Sequence, residues 1–347
     1  MLAGFLALLS AATFAFNNAS LRRGVLTGSV AQAMAITVPI GVPLFFVAAL
    51  LSGTLALITD FSFHAVLILS ASGVVHFLWG RYCNYRATQA IGTNLTAPLQ
   101  QVNLVVSLGL AMLVLGETLT PLRISGIGLV LLGPYFAMRS DTKPTAQKPT
   151  AAAVFAVPDG SAGSLNKPPP FKPKYTEGII FSLLSATGYG SSPILIRLAL
   201  EGKGLGAAIP GGLIAYLAAT VVLTLFLILP GSLSHLRRMK WESAKWFTLS
   251  GLLVCLSQMF LYMAMAIAPV TVVSPIGRLS LLFRLYFSRL LNPHHEVFGG
   301  QMILGTIVSL LGALALSISV DAVGGLLPAS WQPFLHWEWP SKASKLP

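Results

Sequence analysis

Residues 30–52 read VAQAMAITVPIGVPLFFVAALLS and residues 208–229 read AIPGGLIAYLAATVVLTLFLIL, neither holding a single charged side chain. About 20 apolar residues at ~1.5 Å of rise each cross the ~30 Å hydrocarbon core of a bilayer. Hydrocarbon offers no partner for a free backbone N–H or C=O, so runs this long and this free of alternation are helices. Outward from these two, further apolar runs lie at about residues 2–20, 63–82, 93–115 and 121–139, then at 176–198, 246–267, 270–291 and 298–320. The fold class predicted is an all-α integral membrane protein with ten transmembrane helices in two blocks of five. The 347-residue chain is 55% hydrophobic and 9% charged, which leaves no room for a large soluble enzyme domain.

The blocks bound the organisation. Residues 1–139 form a first five-helix unit, 140–174 a linker, 175–320 a second unit and 321–347 a tail. The linker holds seven prolines and five lysines, a composition that cannot bury a core. The tail carries Trp331, Phe334, Trp337 and Trp339, rings that prefer the headgroup region, so residues 328–340 are expected on the membrane surface. The first run has no Lys or Arg ahead of it and no small-residue cleavage site, and reads as a helix rather than a signal peptide.

The two units resemble each other. A shift of 175 lays Leu8-Leu9-Ser10-Ala11 on Leu183-Leu184-Ser185-Ala186 and Arg22 on Arg197, and a shift of 177 matches Tyr85 with Tyr262, Pro98 with Pro275 and Gly128 with Gly305. Five is odd, so a duplicated five-helix unit enters the bilayer from opposite sides. Such inverted repeats underlie many secondary transporters, with substrate near the midplane between them. The net charge of +12 is unevenly placed. Assigned to loops after helices 1, 3, 5, 7 and 9 are Arg22, Arg23, Arg81, Arg86 and Arg139, the five linker lysines, and Arg237, Arg238, Lys240, Lys245 and Arg289. The other side holds only Arg123, Arg197, Lys203, Lys342 and Lys345. Positive charge stays inside, which puts both termini outside.

Asn94-Leu95-Thr96-Ala97-Pro98, then Leu115-Gly116-Glu117-Thr118-Leu119-Thr120, then a helix with Gly126, Gly128 and Gly133, resemble the EamA-like branch of the drug/metabolite transporter superfamily. The resemblance covers about residues 3–139 and 177–320. It implies a ten-helix carrier of small metabolites, often an exporter, in a bacterial inner membrane, with both termini usually drawn in the cytoplasm. At a shift of 177 the position matching Glu117 is His294, so the motif reads as degenerate in the second unit.

Candidate site residues are the polar points within spans. Arg278 lies ~12 Å along the ninth run, near mid-bilayer, where a lone charge costs about 2.5–3.5 kcal/mol. Its counterpart is Gln101, and Gln100 and Asn103 lie beside that, following Pro98 as Arg278 follows Pro275. Both prolines are expected helix breaks. Arg278 is expected to meet an anionic group, with Gln100, Gln101 and Asn103 bonding the remainder, or else to be an interhelical clamp held by these amides. Arg284 and Arg289 are expected to snorkel to the interface. Asn17 and Asn18 offer amides that serve packing or substrate. His76, Trp79, Tyr82 and Tyr85 recur at threes and line either a permeation path or the aromatic belt. Glu117 reads as a helix-start carboxylate beside Arg123. His294-His295-Glu296 lacks the His-x-x-x-His spacing of helical zinc sites and reads as a loop with a helix-initiating Glu.

Cys83 and Cys255 make no disulfide framework or metal set. No cofactor, metal or nucleic acid is called for. The expected partners are the bilayer, a small-molecule substrate and, as an assembly to test, a second copy. The competing classes are a membrane-embedded enzyme on lipid-linked substrates, which needs an acid, base or metal cluster, and a non-transporting accessory subunit.

Overall fold

The computed structural model describes residues 2–115, 118–139, 171–200, 203, 205–267, 273, 276–318, 330, 337 and 339. Its helices are α1 (Leu2–Val25), α2 (Val30–Thr37), α3 (Gly41–Leu51), α4 (Phe63–Gly73), α5 (Arg81–Gln100), α6 (Val102–Leu115), α7 (Pro121–Met138), α8 (Tyr175–Leu200), α9 (Ala208–Leu227), α10 (Ser232–Arg237), α11 (Trp241–Ile267), α12 (Ser280–Leu291) and α13 (Gly300–Ser317). Among the described residues eight stretches are long and apolar enough to cross a membrane, which makes the chain a multi-pass membrane protein. One of them, Phe63–Gln100, has 38 residues. As a straight helix it would measure about 57 Å, far more than the bilayer core. It is not straight: α4 passes into a π-helical segment, Val74–Gly80, and Gly92 inside α5 has φ 80° and ψ 170°. Among the described residues the only β pairing is an isolated bridge in which Leu119 and Trp339 exchange N–H···O=C bonds of 2.7 and 2.8 Å.

Small and hydroxyl side chains set the packing, as expected where lipid removes the hydrophobic drive between helices. Along α1 and α11, Ser10 Oγ donates to the Ser257 carbonyl (2.8 Å) and Ser257 Oγ to the Ser10 carbonyl (3.0 Å). Further along the same pair, Ser250 Oγ donates to Asn17 Oδ1 (2.6 Å). Asn17 is thereby engaged in the α1–α11 contact.

α7 and α13 cross backbone to backbone. A Cβ on Gly305 would sit 2.5 Å from the Gly133 carbonyl oxygen, and one on Gly312 would sit 2.6 Å from the Val130 nitrogen. Gly128, which a shift of 177 pairs with Gly305, meets nothing within 4 Å. Gly305→Val is therefore expected to lower thermal stability by about 1–3 kcal/mol through overpacking. Gly128→Val should melt with the parent, and parallel melts of the purified proteins check both.

α1 also packs on α12; α8 packs on α4, the π-helical segment, α5 and α6; α9 packs on α3 and α4, and α11 on α2. Two arginines that the charge count places in loops are instead buried within helices, Arg22 in α1 and Arg81 in α5. Arg81 can stay there because it donates to the Thr37 carbonyl (2.9 Å) and the Tyr216 hydroxyl (3.1 Å), against the rings of Phe77 and Tyr216.

Candidate functional site

The buried interior carries a polar chain that joins helices from both halves. Arg284 on α12 is 3% exposed, and its Nη1 donates to Gln100 Oε1 at 3.0 Å. Gln100 Nε2 in turn donates to Asn84 Oδ1, and Tyr189 on α8 lies near Asn84. The Tyr189 ring lies 4.6 Å from that of His76 in the π-helical segment. Phe14 on α1 lies 5.7 Å from the guanidinium of Arg284. The expectation that Arg284 snorkels to an interface is thus overturned. Seven residues, or about 10 Å, separate it from the end of α12 at Leu291, too far to reach water while Gln100 and Phe14 hold it inside.

The described interior is under-satisfied. The Nε atoms of Arg284 and Arg278, Gln101 Oε1, Asn103 Oδ1, Asn18 Oδ1 and His76 Nδ1 are all buried without a hydrogen-bond partner. Each such atom left unpaired costs about 1–3 kcal/mol. Among the described residues no carboxylate lies within 4 Å of Arg284 or Arg278. Beside the chain a cleft of about 490 Å³ opens between the π-helical segment, α6 and α8, lined by Val75, Trp79, Val106, Leu110, Thr187 and Ser191. It is a wide-open groove rather than an enclosed cavity.

Deeper toward the linker-bearing ends of the same helices lies a charged cluster. Glu296, in the turn between α12 and α13, has a fully buried side chain. Its Oε1 accepts the Thr93 N–H (2.7 Å) and the Thr93 hydroxyl (2.8 Å), and its Oε2 accepts the Asn94 N–H (3.0 Å). Arg22 Nε stands 3.5 Å from Oε1. The carboxylate therefore caps the helical turn that restarts after Gly92. Gly92 must be glycine, since its φ is positive and a Cβ would run into the Glu296 carboxylate. Burial pushes the Glu296 carboxyl up from its ordinary value, while Arg22 and the N–H groups of Asn94 and Thr93 pull it back. The expectation that Glu296 starts its own helix is corrected: α13 begins at Gly300, and the helix end Glu296 serves belongs to the other half of the chain. No group of His, Cys, Asp or Glu suited to a metal occurs among the described residues.

A family likeness joins these membrane helices and unpaired polar groups. Residues 1–139 match the EamA-like transporter family. The EamA match ends just ahead of the linker and is consistent with the drug/metabolite transporter superfamily. A solved structure named only "Crystal structure of protein" is similar in fold, with a TM-score of 0.52 and 16% identity over 90% of this chain and 94% of that one. No curated protein matches the sequence.

The EamA-matching half supplies much of the site. Gln100 and Gln101 are buried in it, and Asn103 is half-buried at the start of α6. Arg278 is half-buried in the turn before α12. Asn18 is fully buried, donating to the Phe14 carbonyl at 2.7 Å. The aromatic face drawn at threes is divided, because the π-helical segment changes the residues per turn. Tyr85 turns inward to donate to Thr37 Oγ1 (3.0 Å), Trp79 lines the cleft, and Tyr82 is exposed against Phe181. The sharp break in α5 falls at Gly92; Pro98 follows six residues on, and Gln101 forms the turn into α6. Pro275, Glu117 and the Arg197 side chain lie outside the described residues, and Thr120 caps α7 through the Arg123 N–H (3.4 Å). Of the tail tryptophans, Trp337 and Trp339 are described and half exposed.

Sequence reasoning missed Asn84, Tyr189, Glu296 and the inward Arg284. One signal could have found Glu296: Gly126 and Gly133 are seven residues apart, as are Gly305 and Gly312. Matching those pairs sets a shift of 179, which lays Glu117 on Glu296 instead of on His294.

Proposed function

We propose that the protein is a ten-span secondary carrier of two inverted five-helix repeats, moving a small anionic or amphipathic metabolite by alternating access, with export the expected direction. The observation that carries this reading is the buried link Arg284–Gln100–Asn84, which joins both halves in an interior where Arg284 Nε and other polar atoms lack a partner. Among the described residues Arg284 and Arg278 have no carboxylate within 4 Å, and Glu296 acts on Arg284 only from farther off, which favours an anion from outside the chain.

The contacts support the repeat. The break at Gly92 divides residues 63–115 into a third and a fourth span, which with α12 as the ninth makes ten. Exchanging each span with the one five further on maps the packing onto itself: first on eighth becomes sixth on third, first on ninth becomes sixth on fourth, second on eighth becomes seventh on third. The fifth and tenth, α7 and α13, pair across the glycines. That is what an inverted repeat requires.

In the mechanism, Arg284 and Arg278 attract the anionic group, while Gln100, Gln101 and Asn103 bond what remains of it. Asn18 and His76 offer further polar atoms at the edge, and the cleft beside Trp79 receives an apolar portion. The bilayer and a small molecule are the only partners this needs; a second copy does not enter it. On this reading the linker faces the cytoplasm and both termini the outside of a bacterial inner membrane; the residual charge bias supports the orientation. Cysteine labelling from outside whole cells should modify position 345 and spare position 160. The converse pattern reverses the orientation. Reconstituted protein exchanging labelled metabolite pools tests transport itself.

A further inference from the structure

Four segments on the linker-bearing face meet at one buried cluster. Besides approaching Glu296, Arg22 donates to the carbonyls of Thr88 (2.8 Å), Gln89 (3.0 Å) and His295 (2.6 Å). Its guanidinium lies 4.3 Å from the Phe171 ring, at the linker's end. Asn292 Nδ2 reaches the Ala19 carbonyl (2.9 Å), and Thr93 Oγ1 lies 2.7 Å from Ser288 Oγ. The cluster thus ties α1, the start of the fourth span, the chain leading into α8 and the end of α12. It lies directly over the site: Ser288 is one turn from Arg284, and Thr93 two turns from Gln100.

We infer that Arg22 and Glu296 are the gating residues that close the linker-bearing face over the site, and that transport requires their separation. The inference rests on the transport reading and names how access to that site is controlled. The chemistry suits a gate better than a permanent seam. A buried ion pair roughly breaks even against its own desolvation, so apolar side chains would hold two helices together as well or better. When the cluster parts, both charges regain water, and the Thr93 and Asn94 N–H groups do the same. Opening then costs little on balance, whereas parting an apolar seam would expose surface with nothing in return. The sequence holds the same two residue types a second time, since Arg197 answers Arg22 at a shift of 175 and Glu117 answers Glu296 at 179.

The test uses the full chain with Cys83→Ala and Cys255→Ala. A Ser288→Cys reporter is exposed to a membrane-impermeant maleimide from the linker-bearing side. Adding Glu296→Gln, which keeps an acceptor for the Thr93 N–H but removes the charge, should raise the labelling rate at least tenfold. Separately, Thr93→Cys with Ser288→Cys places two thiols where two hydroxyls touch. Oxidation should abolish metabolite exchange in proteoliposomes, and a reductant should restore it. Unchanged labelling in a monodisperse Glu296→Gln protein, or full exchange by the oxidised pair, makes the cluster a static clamp and overturns the inference. Absence of exchange even before oxidation counts against transport instead, and leaves the labelling result to decide the gate.

Discussion

Arg22→Ala is expected to destabilise the protein by about 3–5 kcal/mol, because it leaves the Glu296 carboxylate buried without its cation. Three carbonyls also lose their donor, those of Thr88, Gln89 and His295. The loss should depend on pH, with a sign fixed by Glu296. Burial already holds its pKa above the ordinary value of 4.5, so the folded protein keeps that proton longer than the unfolded chain. Stability from this group is therefore greatest below about pH 4.5 and declines as pH rises through the folded-state value. Removing Arg22 takes away the charge that pulls the value down, so the declining window extends to higher pH. Arg22→Ala should accordingly be closest to the parent in acid and furthest from it near pH 8. Adding Glu296→Gln to Arg22→Ala should recover part of the loss at pH 8 and little in acid. Thermal melts in one detergent between pH 5 and pH 8 measure all of this. A pH-independent deficit would mean that Glu296 does not need its cation.

Arg284→Gln is expected to reduce exchange of an anionic metabolite about 10- to 100-fold, the worth of one or two hydrogen bonds to a charged group. Arg284→Lys should recover only part of this, because an ammonium lacks the planar fork that can hold Gln100 and a ligand together. Arg278→Ala should cost less, about tenfold, since that residue is half-buried and sits beyond the end of α12. Initial rates in proteoliposomes of matched protein content separate the three. Equal rates for Arg284→Gln and the parent would remove the guanidinium from the substrate path.

The bilayer made most of the fold legible, because long uncharged runs have one structural solution in hydrocarbon. It did not make the contacts legible. Arg22 meets His295 across 273 positions, and Thr93 meets Glu296 across 203. No local spacing announces either pairing. Arg22 and Arg81 look like loop charges in a linear count, because near a span's end a buried and a solvated arginine read alike. Backbone carbonyls and tyrosine hydroxyls decide between them. The polar points within spans were legible, but which arginine meets which amide was not. Gln100 is where the reading puts it, while its cationic neighbour is Arg284 rather than Arg278. Helical phase explains that shift, since the ninth run is interrupted at the Arg278 turn and α12 begins only at Ser280. A two-residue slip in register, invisible among apolar residues, hid Glu296 behind His294.

Uptake of an isotopically labelled metabolite extract into liposomes bearing the purified protein, preloaded with the unlabelled extract, tests the account most directly. The expected result is counterflow of at least one small anionic compound, saturable, absent from protein-free liposomes and strongly reduced in Arg284→Gln. Inserted, monodisperse protein that accumulates no compound beyond the protein-free control would contradict it.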